Sequence, residues 1–421
     1  MLKLADDITD EIVKRAREKR AGKKPKWVQT DRDGDPLPTR DNFEALLNWM
    51  GIRPRRNLMS HQTEYVHESG DFLASECKLA AVWGDIIDSA IKTGLNKTQH
   101  FQSYLDSLEA RNAYHPVSEW AMAKPWDGHD RIPDLLESLG IRKGFEPYET
   151  LMKEQLTRWL VSGGIALKVS PAAADGLSAE GVLVLQGGQG TGKTRWVKSL
   201  TGGNDKWIAE SVILDPNDKD SVILATSTFI SELGELDATY RKSDIAALKA
   251  FLTKDKDIYR SPYGKKAETY PRRTIFAATV NPAEFLADET GNRRFWLFPI
   301  LKTNPSHQVD MQQVWAQAID MAEKNEPHWL PAQAKEDAEK LASSFRSVSP
   351  WEDLFLEHYA TPNPEAGGIP FATKYAQIRE VIKPNAPWAT GDVKSFAAWL
   401  RARCKAATVN GALAFYVVPK L

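Results

Sequence analysis

The sequence predicts an α/β protein in which a parallel sheet is built around a phosphate-binding loop. Residues 181–186 form a short apolar run bounded by glycine, a pattern typical of a buried strand in a parallel sheet. A glycine-rich segment follows directly, and residues 194–200 contain no helix breaker. Strand, glycine loop and helix in this order are the context in which such a loop binds phosphate. We therefore expect a nucleotide-binding domain in the middle of the chain.

The glycine-rich segment has the chemistry needed to hold a nucleoside triphosphate. Glycines let backbone N–H groups curl around the phosphates, and a helix N-terminus adds partial positive charge. Lys193 is expected to reach the β- and γ-phosphates of the triphosphate, and the Thr194 hydroxyl to bind Mg²⁺. A glycine turn of purely structural use is the alternative, and the Lys–Thr pair in register behind a strand argues against it. The predicted nucleotide-binding residues are Gly187, Gly188, Gln189, Gly190, Thr191, Gly192, Lys193, Thr194 and Arg195.

Length, charge and cysteine content limit the classes of protein to which the chain can belong. The 421 residues suffice for two or three domains, and the formal net charge of −1 confines any nucleic-acid surface to a local patch. No apolar run approaches the roughly 20 residues that a membrane span needs, and the charged stretch after Met1 argues against a secretory signal. Cys77 and Cys404 lie far apart, so we expect no structural zinc and a reducing, cytoplasmic location.

Changes in pattern along the chain predict its division into segments. Residues 1–38 combine a basic run with turn formers, which indicates a basic arm and a linker. Residues 39–175 carry apolar side chains at helical spacing and are expected to be mostly helical. Residues 176–345 contain the glycine loop and form the predicted nucleotide-binding core, with an amphipathic helix at 311–324 as its lid.

Residues 346–421 are expected to form a small C-terminal domain. Helices are predicted near residues 351–359, 371–381 and 392–404, and a strand-like run at 413–418 is expected to belong to a terminal hairpin. Three helices and a hairpin suggest a winged-helix-like domain that contacts DNA. A small protein-docking module is the alternative.

Acidic side chains follow a second apolar run, at residues 228–231. Ligands of open α/β sheets bind where the strands end, so acids at this point are expected to lie beside the phosphate loop. One carboxylate can hold Mg²⁺ and a second can orient the attacking water. We assign Glu232 to the metal and Glu235 to the water, although the two roles can be exchanged. Acids that cap a helix or face solvent are the alternative.

Residues 254–273 interleave cationic and aromatic side chains around a Pro-Tyr-Gly turn, which predicts a β-hairpin. Cations that neutralise phosphates and aromatics that stack on bases are what a sequence-tolerant single-strand binder needs. A solvated hairpin with incidental lysines is the alternative. The cations and aromatics of the segment are Lys254, Lys256, Arg260, Lys265, Lys266, Arg272, Arg273, Tyr259, Tyr263 and Tyr270. The predicted DNA contacts are Lys254, Arg260, Tyr263, Lys265 and Lys266.

Two further sets of polar residues can complete a hydrolytic site. Asn281 follows an apolar run at residues 274–280, where its amide can hydrogen-bond the attacking water or the γ-phosphate. Arg293 and Arg294 lie on a glycine-led turn and can supply a cation to the γ-phosphate of a neighbouring subunit. An arginine that acts in this way requires an oligomer with the nucleotide between subunits. Internal ion pairing with the preceding acids is the alternative.

Several short motifs follow one another between residues 110 and 300. They are His115-Pro116-Val117, Trp126-Asp127-Gly128 with Arg131, the loop ending in Lys193-Thr194, Glu232-Leu233-Gly234-Glu235-Leu236, Leu248-Lys249 with Phe251, Arg260-Ser261-Pro262-Tyr263, Pro271-Arg272, Thr279-Val280-Asn281 and Thr290-Gly291-Asn292-Arg293-Arg294-Phe295. With these motifs the chain resembles the virulence-associated protein E family, phage- and island-borne ATPases allied to superfamily 3 helicases. The resemblance implies an AAA+-type module, ATP hydrolysis with Mg²⁺ and a role in replicating mobile DNA. It also implies a hexameric ring whose central channel is lined by the basic hairpin.

The residues and the resemblance together predict a cytoplasmic ATPase that moves along or unwinds single-stranded or forked DNA. A homo-oligomer, with a replication-initiation protein as a possible partner and no membrane, fits this prediction. One alternative is an ATP-gated DNA-binding initiator or regulator that does not unwind DNA. Another is a P-loop kinase, against which the basic hairpin and the paired arginines argue.

Overall fold

The computed structural model describes residues 24–67, 79–168, 176–234, 247–248, 250–260, 267–280, 294–343, 359–360, 371–382, 400–401 and 404–419. The chain divides into two compact units. The larger comprises Met1–Pro282 and Thr290–Ala342, and the smaller comprises Ala283–Glu289 and Ser343–Leu421. None of the described helices is both long and apolar enough to span a membrane.

The N-terminal part of the larger unit packs three helices against a two-stranded antiparallel sheet. Its elements are α1 (Arg40–Met50), β1 (Ile52–Arg56), β2 (Thr63–His67), α2 (Leu79–Lys92) and α3 (Phe101–Arg111). Helix α1 begins after Thr39, whose side chain accepts a hydrogen bond from the Asn42 N–H, and ends at Gly51 in a left-handed conformation. Phe43 and Phe101 are fully buried in the shared core, with ring centroids 4.5 Å apart.

The strand pair β1–β2 was not expected in a segment predicted to be mostly helical. Strand β1 reads Ile-Arg-Pro-Arg-Arg, which has neither apolar alternation nor β-branched enrichment beyond its first residue. Pro54 lacks an N–H donor, and its place in a strand with only one neighbour is compatible with that loss. Pairing with β2, rather than intrinsic propensity, stabilises this strand.

Helices and a short 3₁₀ turn lead from this part to the sheet. They are α4 (Pro116–Ala121), α5 (Ile132–Glu137), the 3₁₀ turn Glu146–Tyr148 and α6 (Glu149–Leu167). Helix α6 buries most of its circumference, and its Trp159 indole N–H donates to the carbonyl of Phe276 at 2.8 Å. This helix therefore lies directly on the sheet.

A five-stranded parallel sheet forms the centre of the larger unit, which confirms the predicted mixed α/β class with a parallel sheet. In chain order its elements are β3 (Val182–Gln186), α7 (Lys193–Ser199), β4 (Ile208–Val212), α8 (Lys219–Thr226), β5 (Ile230–Leu233), the antiparallel pair β6 (Lys256–Tyr259) and β7 (Glu268–Pro271), β8 (Ile275–Val280) and β9 (Phe295–Pro299). The strand order is β4-β5-β8-β3-β9. One strand, β8, thus lies between the loop strand β3 and the acidic strand β5.

Two helices follow the sheet, α9 (Met311–Glu323) and α10 (Ala332–Ser343). Helix α9 packs closely on α6, because Gly164 brings the two backbones together and a Cβ there would lie 2.1 Å from the Ala318 carbonyl oxygen. The fully buried Trp315 donates its indole N–H to the Leu200 carbonyl at 2.8 Å. The helix expected at 311–324 is therefore present, and its action as a lid stays a prediction.

The smaller unit contains strands around a terminal hairpin. Its described elements are β10 (Tyr359–Ala360), β11 (Phe371–Lys374), α11 (Tyr375–Ile382), β12 (Ala406–Val409) and β13 (Ala412–Pro419). Asn410 and Gly411 both have positive φ, which is typical of the tight two-residue turn joining β12 to β13. The expected terminal hairpin is present.

Two helix predictions for this unit were wrong in part. The helix expected at 371–381 begins only at Tyr375, because the four preceding residues pair with β13 as strand β11. Tyr359, expected at the end of another helix, belongs to strand β10. Long-range pairing overrode the local pattern in both places. The rest of the helix expected at 351–359, and most of the helix expected at 392–404, lie outside the described residues.

Candidate functional site

The phosphate loop connects β3 to α7 through glycines in left-handed conformations. Gly190 and Gly192 have φ values of 79° and 89°, a region that favours glycine. A Cβ on Gly192 would lie 2.6 Å from the Thr303 hydroxyl oxygen, and Thr303 also donates to the Thr191 carbonyl at 2.9 Å. The segment after β9 therefore closes on the loop from the outside and fixes its curvature.

Lys193 lies inside this curl. Its Nζ donates to the carbonyl oxygens of Gly187 and Gly188 at 2.7 and 2.8 Å, and its side chain is buried. Burial lowers the pKa of the Lys193 ammonium below its ordinary value, and the Glu232 carboxylate acts in the opposite direction. The ammonium is thus held where the loop backbone surrounds it, and phosphate oxygens can replace the two carbonyls as its acceptors.

Glu232 is the second element of the site and is only 1% exposed. Its Oε1 accepts hydrogen bonds from the hydroxyls of Thr194 at 3.0 Å and Thr279 at 2.6 Å. Its Oε2 accepts the backbone N–H of Ser211 at 3.1 Å. Three strands and the phosphate loop therefore converge on one buried carboxylate.

The backbone around Ser211 is shaped to make this contact. Ser211 has a φ of 53°, in the left-handed region, and the pairing of β4 with β5 is irregular between Ala209 and Val212. A bulge of this kind re-aims backbone groups near functional sites. Here it turns an N–H toward Glu232, a contact that no sequence pattern indicated.

The position of Glu232 differs slightly from the expectation. The acid was expected just after a strand at 228–231, whereas β5 runs from Ile230 to Leu233 and includes it. The Thr228 carbonyl accepts a hydrogen bond from the Thr274 hydroxyl at 2.6 Å, and the Phe229 carbonyl accepts the Ile275 N–H at 2.9 Å, just before β5 begins. The carboxylate nevertheless reaches the phosphate loop, as the expectation required.

Oxygen ligands suitable for Mg²⁺ are adjacent in this arrangement. The Thr194 hydroxyl and the Glu232 carboxylate are hydrogen-bonded to each other, and Mg²⁺ in nucleotide sites takes one or two protein oxygens with phosphates and water. Among the described residues no three His, Cys, Asp or Glu side chains form a cluster that could hold a metal by itself. The donor set therefore fits a metal shared with a triphosphate.

The structure describes only part of the predicted site. Arg195 is exposed just after the loop, Lys254 and Arg260 are exposed at either end of the β6 segment, and Arg294 is half-buried before β9. The remaining predicted residues lie outside the described residues: Glu235, Tyr263, Lys265, Lys266, Asn281 and Arg293. Their predicted roles stay predictions.

The base of the basic hairpin is described, and it corrects one expectation. Strands β6 and β7 pair antiparallel, with Tyr259 stacked on Tyr270 at a centroid distance of 4.2 Å. Arg272, expected among the surface cations, is buried and forms a bidentate pair with Asp257 at 2.7 and 2.9 Å. Arg273 is also buried. Both arginines follow β7 as it enters the sheet, so burial removes them from the hairpin surface.

The Trp126-Asp127-Gly128 motif has a structural role. Arg131 forms a bidentate ion pair with Asp127 at 2.7 and 2.6 Å, which holds the pKa of that carboxyl well below its usual range. Gln313 and Gln317 of α9 accept the backbone N–H groups of Asp127 and Arg131. The motif therefore attaches this surface segment to α9.

Comparison with known proteins identifies the family. The family model described as the virulence-associated protein E-like domain matches residues 121–347, more than half of the chain. An apo structure titled as the A form of the NrS-1 C-terminal region is 14% identical to this chain and has a TM-score of 0.42. The matched part covers 90% of this chain and 99% of the chain in that structure. Another apo structure of that region, residues 305–718, is 15% identical, covers 89% and 98%, and has a TM-score of 0.41. No curated protein sequence matches the chain. The match of the family model shows that the chain belongs to the virulence-associated protein E-like family.

Proposed function

We propose that this chain is a P-loop ATPase of the AAA+ type that uses ATP hydrolysis to move along or unwind DNA during replication of phage or mobile-element DNA. The observation that carries the proposal is the hydrogen bond between Thr194 and the buried Glu232 directly beneath the phosphate loop. A structural glycine turn has no need of a buried carboxylate at that point. The pairing of a loop hydroxyl with a strand acid is what phosphoryl transfer with a divalent cation requires.

Each described residue has a defined task in this proposal. The loop backbone and Lys193 hold and neutralise the β- and γ-phosphates, while Gly190 and Gly192 provide the backbone conformation that exposes the N–H groups. Thr194 and Glu232 hold Mg²⁺, which supplies charge stabilisation on the phosphate oxygens when bound. Thr279 and the Ser211 N–H keep the Glu232 carboxylate in place. Because these donors are already oriented, little reorganisation is needed on binding.

Four further residues complete the proposed reaction, and of these only Arg294 belongs to the described residues. Glu235 orients the attacking water, and Asn281 hydrogen-bonds the water or the γ-phosphate. Arg293 or Arg294 of an adjacent subunit stabilises the charge that develops on the γ-phosphate, so the active form is an oligomer. The resemblance to superfamily 3 enzymes favours a hexameric ring, and the cysteine content favours the cytoplasm. A replication-initiation protein is the proposed loading partner.

A short path joins the hairpin to the nucleotide site. Strand β7 continues through Arg272 and Arg273 directly into β8, and β8 carries Thr279 against Glu232. A displacement of the hairpin that is transmitted along β8 would change the distance between Thr279 and the Glu232 carboxylate. This connection supports coupling between DNA bound at the hairpin and hydrolysis at the loop.

Measurement of hydrolysis and strand displacement in one preparation tests the proposal. The purified chain should hydrolyse ATP over many turnovers, faster with forked DNA than without, and release the displaced strand. Slow hydrolysis without displacement would favour an ATP-gated DNA-binding initiator or regulator. A chain that stays monomeric with nucleotide and DNA, and hydrolyses no ATP, would contradict the proposal.

A further inference from the structure

Within the described part of the chain, Arg273 is a buried cation without a counter-charge. Its side chain is only 8% exposed, its Nε is fully buried without a hydrogen-bond partner, and no ion pair joins it to any of the described residues. The preceding residue, Arg272, is also buried, but both carboxylate oxygens of Asp257 bind it. A buried charge that lacks a partner is strongly unfavourable. The contrast between the two arginines indicates that a bound ligand supplies the counter-charge of Arg273.

His115 supplies a second unsatisfied donor. Its Nδ1 accepts the backbone N–H of Ser118 at 3.3 Å, as the N-cap of α4. In the neutral ring the proton is then on Nε2, so Nε2 is a donor. This atom is buried and has no hydrogen-bond partner among the residues that the structure describes, and His115 as a whole is 2% exposed. Both orphaned groups are therefore donors, a set that suits an anion.

Backbone contacts bring these residues together at one end of the sheet. Ile275, two residues after Arg273, donates its N–H to the Phe229 carbonyl at 2.9 Å, and the His115 ring packs edge-on against Phe229 at 6.4 Å between centroids. The loop that carries His61 joins the same region, because the Leu58 N–H donates to the carbonyl of residue 114, next to His115.

Electrostatic effects agree with this proximity. Burial, together with the positive charges of Arg56 and Arg273, lowers the pKa of His61 to about 4. Burial likewise lowers the pKa of His115 to about 3, again with a contribution from Arg273. Of the charges around His61, Asp257 acts in the opposite direction, and it is already bound to Arg272. The described part of this cluster therefore carries an excess of positive charge.

The cluster is separate from the phosphate loop. It lies before the first residues of β5 and β8, whereas the phosphate loop follows the last residue of β3. Because the strands are parallel, the cluster lies at their amino ends and the phosphate loop lies at their carboxyl ends. The cluster is instead at the base of the hairpin, where His61 packs on Tyr270 at 4.7 Å and Tyr270 stacks on Tyr259.

We propose that Arg273 and His115, with the half-buried His61 at the rim, form an anion site that takes one phosphate group of a DNA strand lying along the β6–β7 hairpin. Guanidinium and imidazole N–H groups are donors that match phosphate oxygens. The exposed Lys254 and Arg260 extend the positive charge outward along the same hairpin. A phosphate bound here would contact the residue that leads into β8. Binding of DNA at this site would thus act on β8, the strand that carries Thr279.

Thermal unfolding of matched variants tests whether Arg273 is unpaired. Arg273→Met removes an uncompensated charge and should raise the unfolding midpoint by about 2 °C in phosphate-free buffer. Arg272→Met leaves Asp257 buried without its partner and should lower the midpoint. Equal destabilisation by both substitutions would mean that Arg273 has a structural partner, and it would overturn the proposal.

Inorganic phosphate tests the anion site directly. In a chain that carries Lys193→Ala, so that the phosphate loop contributes less, phosphate at constant ionic strength should raise the midpoint. The same chain with Arg273→Met added should show no rise, because stabilisation follows occupancy of the native site. A rise of equal size in both chains would overturn the site.

The salt dependence of single-stranded DNA binding distinguishes a site for a DNA phosphate from a site for free inorganic phosphate. Each phosphate neutralised on a single strand contributes a slope of about −0.7 to the dependence of log K on log salt. Arg273→Met should therefore reduce the slope for oligothymidylate by about 0.7, and Arg53→Met, an exposed control, should leave it nearly unchanged. A rise of the unfolding midpoint with inorganic phosphate, without a change in this slope, would overturn the proposal that the site binds a DNA phosphate. The measurement needs no ATP hydrolysis, so its outcome does not depend on the proposed ATPase activity.

Discussion

The Thr194 hydroxyl donates a hydrogen bond to the Glu232 carboxylate across 3.0 Å. This contact joins the phosphate loop to a strand that is not adjacent to the loop strand in the sheet, because β8 lies between β3 and β5. Thr279 of β8 donates to the same carboxylate oxygen. The nucleotide-binding loop, the acidic strand and the strand that follows the hairpin thus share one buried group.

Replacement of Glu232 should separate nucleotide binding from hydrolysis. Glu232→Gln keeps the size of the side chain and an oxygen acceptor but removes the negative charge. We expect the turnover rate to fall by about 10²–10³-fold, because charge stabilisation of the transition state is weakened, while binding of a fluorescent ATP analogue persists. Equilibrium binding and phosphate release measured on one preparation check both parts.

Glu210→Gln is the matched control for this change. Glu210 is on β4 and forms an exposed ion pair with Lys198 at 2.9 Å, so its loss should leave turnover within about twofold. Equal loss of turnover in the two variants, or full turnover in Glu232→Gln, would contradict the assignment of Glu232.

The predicted DNA contacts Lys265 and Lys266 can be tested without disturbing the nucleotide site. Lys265→Ala combined with Lys266→Ala should leave basal hydrolysis intact, weaken DNA stimulation and reduce the affinity for single-stranded DNA. Loss of two phosphate contacts should lower the salt slope by about 1.4. The pair Lys335→Ala and Lys340→Ala, at exposed positions on α10, removes equal charge elsewhere. Stimulation that persists in the hairpin variant would exclude this DNA contact.

Buried His115 should make the larger unit sensitive to mild acid. Its pKa is lowered from 6.5 to about 3 by burial and by the charge of Arg273, so the folded chain keeps the ring neutral. The unfolded chain takes up a proton as the pH falls below about 6.5, and stability is therefore lost as the pH decreases. His115→Asn keeps an N-cap acceptor and removes the titration.

Urea unfolding at pH 6.5 and pH 4.5 measures this effect. The wild-type free energy of unfolding should fall by about 2 kcal/mol more than that of His115→Asn over this interval. His61 titrates in both chains and cancels in the comparison. His129→Asn, at an exposed position, should follow the wild-type curve. Parallel curves for wild type and His115→Asn would contradict a neutral buried ring.

The parts of the site predicted from sequence share a local signal. A buried strand, a glycine loop and a helix are adjacent in the chain, so the position of Lys193 and Thr194 follows from pattern and spacing. Glu232 could be predicted because acids near the carboxyl ends of parallel strands meet at one edge. The contact between Thr194 and Glu232 follows from these two local patterns once the sheet is parallel.

The parts that could not be predicted depend on long-range packing. Thr279 and the Ser211 N–H reach Glu232 only because β8 and a bulge in β4 place them there. Arg272 and Arg273 share the composition of a surface cation run, and only the packing of β7 against the sheet reveals that both are buried. Sequence spacing does not distinguish a cation that faces solvent from one held by Asp257.

ATP hydrolysis by Lys193→Ala, compared with Lys198→Ala, tests the central claim most directly. Lys198 is on the same helix as Lys193 but pairs with Asp205 and Glu210 at the surface, whereas Lys193 lies inside the phosphate loop. With Mg²⁺ and forked DNA, wild type and Lys198→Ala should release phosphate at similar rates, and Lys193→Ala should release none above background. Unchanged turnover in Lys193→Ala would contradict the account of this loop as the site of ATP hydrolysis.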